Sequence, residues 1–191
     1  MFFKKLMGGP KTADLTIVVK TALVSVMKSN TKEYLAPLVQ QKTLQIIDAE
    51  NLQNELHAFR IALWYLFAFQ IVDRRLSADE LGLRFGAALT VAVEEAQGAS
   101  KNMHYTGDNL LEDAYSYIED ALELQSRATL EAEITFFLCQ TLTRRALKNV
   151  SMTNPLRQQR QEQVFNVAMY VLRETEKIQR TFQESYTIVV T

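Results

Sequence analysis

The sequence is poor in the residues that staple, ligate and cleave. Its one cysteine, Cys139, can form no internal disulfide, which excludes a disulfide-stapled secreted domain. Cys139 sits in the apolar run ITFFLCQTL, where burial makes a thiol inert, so it reads as a structural residue. Two histidines and one cysteine are too few for a zinc cluster. Neither histidine follows a glutamate at the Glu-x-x-His spacing of a di-metal carboxylate bundle: Asn54 stands three positions before His57, and Lys101 three before His104. A Walker lysine on a glycine-rich turn and a Gly-x-Ser-x-Gly nucleophile elbow are also missing. No cofactor and no metal are expected.

Excess charge is missing too. The formal net charge is −1, which supplies no field for nucleic acid. The aromatic residues stand in apolar runs rather than alternating with basic ones, as base stacking would require. The stretch SADELGLRFGAALTVAVEEA lacks the turn and the basic recognition helix of a helix-turn-helix. No nucleic-acid partner is expected.

Hydrophobic runs of membrane-spanning length are absent. The most apolar segment is Ile61 to Val72, twelve residues with Gln70 as its one strongly polar member, bounded by Arg60 and Asp73. As a helix it rises about 18 Å, short of the ~20 residues a bilayer core needs. The segment therefore predicts a central helix covered on most sides by protein. The opening MFFKKLMGGPK carries no long apolar segment of an export signal. Residues 1–7 offer at most a weak contact with a membrane surface, through Phe2, Phe3 and Leu6 beside Lys4 and Lys5. The expected location is cytoplasmic.

What is present favours helix. Three prolines and six glycines leave long unbroken stretches, and leucine, alanine, glutamine and glutamate recur throughout. A hydrophobic content of 48% over 191 residues is enough for one substantial core. These features predict an all-α, multi-helix bundle of five or six helices with a short extended C-terminal tail. Residues 1–11 form an N-terminal appendage ending at Gly8-Gly9-Pro10, residues 12–184 a single helical domain, and residues 185–191 the tail.

A first helix is expected over Thr12–Ser29, with Leu15, Val18, Val19, Ala22, Leu23, Val26 and Met27 on one side. Asn30 and Glu33 can form a capping box for a second, Thr31–Arg75, with a kink at Pro37. Ser77 and Glu80 form another capping box, for a helix to Gln97 with Leu81, Phe85, Ala88, Leu89 and Ala92 inward. Gly82 and Gly86 on that helix would permit a close helix contact. Gly98 to Gly107 reads as a loop, and Asp108 or Asn109 as the next cap. Leu111, Ala114, Ile118, Ala121, Leu122 and Gln125 trace the inner side of the helix that follows, with a break near Arg127. Asn154-Pro155 starts a last helix, to about Glu184, with Val164, Ala168, Val171, Leu172, Ile178 and Phe182 in the core. The terminal YTIVVT suits an edge strand, a docked tail or a partner-binding segment.

Charge is unevenly placed even though it sums to almost nothing. From Asp108 to Glu133 there are eight acids (Asp108, Glu112, Asp113, Glu119, Asp120, Glu123, Glu131, Glu133) against one base, Arg127. Met1 to Lys32 has six lysines against Asp14, and Arg144 to Arg180 is mildly basic. Such polarity guides packing between segments or subunits.

Together these features point to a non-catalytic protein–protein interaction module: an adaptor, an inhibitor or an assembly factor. Its partner is expected to be a protein, a second copy in a homodimer included, and Glu112, Glu119 and Glu123 on the acidic helix are the first interaction residues to test. Two alternatives stay open. A small-molecule sensor or carrier would line an apolar cavity with Trp64, Tyr65, Phe67 and Phe69, and take polarity from Gln70, His57 or His104. In that case the ligand-binding set is Trp64, Tyr65, Phe69, His104 and Tyr105. A helical enzyme would most readily use His104, Tyr105 and Asp108, on a loop and the cap beside it.

Overall fold

The computed structural model describes residues 11–28, 46–72, 76–99, 107–126, 131–148 and 154–190. They form six α-helices and one two-stranded sheet. In chain order these are β1 (Lys11–Asp14), α1 (Leu15–Lys28), α2 (Ile46–Val72), α3 (Ala78–Ala99), α4 (Gly107–Ser126), α5 (Glu131–Ala146), α6 (Asn154–Ser185) and β2 (Tyr186–Val189). The fold is an all-α bundle.

α2 is its axis. It packs against α1, α4, α5 and α6 and touches α3. Phe59, Ile61, Ala62 and Ala68 are fully buried, and only Gln70 is exposed between Ile61 and Val72. A helix covered on nearly every side needs no polar face, which is why its sequence shows little helical periodicity. Aromatic side chains fill the gaps around it. Trp64 meets Phe67 and Phe182 edge-on, at 5.3 and 5.9 Å between ring centroids. Tyr65 meets Phe85 of α3 at 5.2 Å. Among the described residues, no helix is long and apolar enough to cross a membrane.

α1 lies along α3 and against α2. All seven of its expected core residues, from Leu15 to Met27, are buried. The start of this helix needs correction: residues 11–14 are a strand, not the first turn. Lys11–Asp14 pairs in parallel with Tyr186–Val189, with Ala13 opposite Ile188. Asp14 then ends the strand and caps α1, its Oδ1 accepting from the Thr16 amide at 2.8 Å. The parallel pair joins the two ends of the described chain, and Ile188 and Val190 rest on the core.

Ser77 caps α3 as its sequence implies, its hydroxyl accepting from the Glu80 amide at 3.2 Å. The five expected inner residues of α3 are all buried. Gly82 brings α3 close to α4: a Cβ there would stand 3.5 Å from the Tyr115 hydroxyl, an ordinary contact distance. α4 begins at Gly107, so Asp108 and Asn109 lie within its first turn rather than before it. α6 begins at Asn154 and ends at Ser185, beside its predicted limits. Ile178 is a second correction: it is 40% exposed. α6 faces α2 through Gln179 and Phe182 instead. Gln179 donates to the Leu63 carbonyl at 3.0 Å. The Asn30–Glu33 box, Pro37 and Arg127 lie outside the described residues.

Candidate functional site

Two adjacent arginines near the end of α5 divide the polar chemistry of the molecule. One residue of helix turns the chain by about 100°, so Arg144 and Arg145 point to different neighbours.

Arg145 turns inward. Its Nε donates to Glu55 Oε2 of α2 at 2.8 Å, one terminal nitrogen donates to the Ser116 hydroxyl, and the other to Asp113 Oδ1 at 2.9 Å, both on α4. Its guanidinium also lies over the Tyr117 ring, 5.0 Å from the centroid. The Tyr117 phenol donates to the same Glu55 oxygen at 2.7 Å. Glu55 is buried, so this carboxylate depends on its two donors. Burial pushes the Tyr117 phenol far above its usual range, and the Glu55 charge adds to the shift. Burial alone would lower the pKa of Arg145, but its hydrogen bond to Glu55 and the charge of that group raise it overall. Tyr117 is therefore a fixed donor and Arg145 a fixed cation. Asn51 adds a neighbouring tie, donating to the Ala146 carbonyl at the end of α5 at 2.9 Å. The cluster links α2, α4 and α5, with each of its strong groups already engaged. It is suited to holding the bundle together rather than to turning over a substrate.

Arg144 turns outward, into an open groove of about 630 Å³ between α5 and the first half of α6. Phe136, Gln140 and Arg144 recur every fourth residue along α5 and, with Lys148 in the turn that follows it, form one wall; all four are exposed. Phe165 of α6 lines the other wall and meets Phe136 edge-on at 5.2 Å. Phe136 is 50% exposed, an unusual position for a phenylalanine. Arg144 and Lys148 oppose a single lining acid, Glu162. Thr141, also lining the groove, is buried, and its hydroxyl has no hydrogen-bond partner among the described residues. The arrangement is apolar, wide and rimmed with positive charge. It can seat a helix or an extended segment.

The other residues singled out in the sequence are placed as follows. Trp64 and Tyr65 stand in the packed core. Phe69 is half-buried and, with Gln70, lines a smaller cleft of about 220 Å³ between α2, α5 and α6. His57 is buried on α2; burial first, and then the charge of Arg60, lower its pKa to about 4, so it is neutral near pH 7. Cys139 is buried, and its thiol is pushed up to about 12, chiefly by burial. Glu112, Glu119 and Glu123 are all exposed on α4. His104 and Tyr105 lie outside the described residues. The described residues hold no group of three or more metal-ligating side chains.

The sequence did not single out Phe136 or Phe165, or the tie between Glu55 and Arg145. A spacing of four from Phe136 through Gln140 and Arg144 to Lys148 is the sequence pattern that could have pointed to this wall. No family model matches the chain, and no curated protein and no solved structure matches it either.

Proposed function

We propose that the chain is a non-catalytic protein-interaction module acting in the cytoplasm as an adaptor, inhibitor or assembly factor, and that the groove between α5 and α6 is where its partner docks. The observation that carries this is the exposed Phe136, held edge to edge against the partly buried Phe165, beside Arg144 and Lys148. Apolar anchors within a polar rim are what protein interfaces use, and aromatic residues and arginine are enriched in them. A groove between two helices suits a third helix. The strongest polar cluster elsewhere, around Glu55, is engaged in cross-linking the bundle and leaves no acid or base for chemistry.

The test is position-specific photo-cross-linking in cells. A photoreactive residue placed at Gln140, in the groove, yields discrete protein adducts, whereas the same residue at Ser25, exposed on α1, does not. Equal labelling at both positions, or none at either, contradicts the proposal.

A second reading rests on the cleft lined by Phe69 and Gln70, which would take a small apolar ligand. Native mass spectrometry of freshly purified chain would then show a retained small molecule, and a bare mass would remove that reading.

A further inference from the structure

We infer that the occupant of the α5–α6 groove is the acidic face of α4 from a second copy of this chain. The inference rests on the docking role proposed above and names the partner. α4 carries Asp108, Glu112, Asp113, Glu119, Asp120 and Glu123, and no lysine, arginine or histidine between Gly107 and Ser126. Asp113 is engaged by Arg145 of its own chain. Glu112, Glu119 and Glu123 are exposed and lie seven and four residues apart, on one side of the helix.

The groove is their electrostatic complement. Arg144 near the end of α5 and Lys148 in the turn just after it put two bases on the rim, against Glu119 and Glu123 on one side of α4. The complement is one of charge, two bases facing a side of α4 that carries acids alone. Like charges set the alternative at a disadvantage: a second groove against the first would bring Arg144 and Lys148 against their own copies, and α4 against α4 would bring glutamate against glutamate. The two complementary patches are different surfaces. The contact therefore pairs unlike faces, and each copy carries one of each.

Sedimentation velocity of the full chain tests this directly. The unmodified protein sediments above monomer mass at tens of micromolar in low salt. It returns to monomer in about 1 M salt, where screening acts over ~3 Å. Arg144→Glu with Lys148→Glu destroys the groove's charge but leaves the acidic face. Glu119→Lys with Glu123→Lys does the opposite. Each double variant alone is monomeric, with a thermal melting curve like that of the unmodified protein, because all four side chains are exposed. Mixed in equal amounts, the two variants pair one-to-one, since the intact groove of one accepts the intact face of the other. Monomer behaviour of the unmodified chain, or assembly that survives in either variant alone, overturns the inference. A monomer that still gives Gln140 adducts with another protein removes the self-contact and leaves the docking role standing. A chain that gives neither removes both.

Discussion

Tyr117 and Glu55 meet inside the bundle, the phenol of one donating to the carboxylate of the other across 2.7 Å. Arg145 donates to the same oxygen from the opposite element at 2.8 Å. One carboxylate thus links helices contributed by segments 62 and 90 residues away. Removing one donor is costly because the charge stays buried. Arg145→Met is expected to destabilise the fold by about 3 kcal/mol, and Tyr117→Phe by roughly 1–2 kcal/mol. Arg145→Met combined with Glu55→Gln should cost less than Arg145→Met alone, since the stranded charge is gone. Chemical denaturation of the single and double variants measures the coupling. Equal losses for Arg145→Met with and without Glu55→Gln would contradict this account of the cluster.

His57 gives the stability a definite pH dependence. Its folded pKa, about 4, lies below the unfolded value of 6.5. Between these values the unfolded chain binds the proton and the folded one does not, so stability falls as the pH drops from 6.5 toward 4. The loss approaches about 3 kcal/mol at the lower end. His57→Gln removes this component, and the difference between the two melting-temperature profiles isolates it. Parallel profiles from neutral to acidic pH would contradict the assignment.

Gly82 lies inside α3, where glycine is costly, and a Cβ there would find ordinary contact room at 3.5 Å. Gly82→Ala is expected to raise stability by roughly 0.5–1 kcal/mol. A fall in melting temperature would mean that α3 and α4 approach more closely than this.

Ser77→Ala removes the side-chain acceptor of the Glu80 amide. The expected loss is about 1 kcal/mol, seen as a lower denaturation midpoint with an unchanged slope. The buried Thr141 hydroxyl predicts the opposite sign. Thr141→Val keeps the shape and removes a group without a partner, and should stabilise the chain by about 1 kcal/mol.

Local periodicity made much of this bundle legible. The seven inward residues of α1 and the five of α3 follow from spacings of three and four, and Ser77 and Asn154 announce their helix starts. The all-round burial of Ile61–Val72 follows from its composition. Features that depend on distant partners were not legible. Lys11–Asp14 has no strand composition of its own and is held by residues at the other end of the chain. Ile178 fits an apolar trace, yet its neighbour Gln179 is the residue turned toward α2, where it meets the Leu63 carbonyl. Arg144 and Arg145 are adjacent in sequence, but helix geometry separates them into an inward tie and a groove wall. The exposure of Phe136 depends on where α6 leaves room beside α5, which no single helix encodes.

The most direct test of the central claim is to sequence the cross-linked product at Gln140 from a mixture of isotopically light and heavy chains. The account predicts an adduct joining a light groove to a heavy α4 peptide containing Glu119 and Glu123, and the reverse. Adducts confined within single chains, or mapping to any other surface of the second copy, would contradict it.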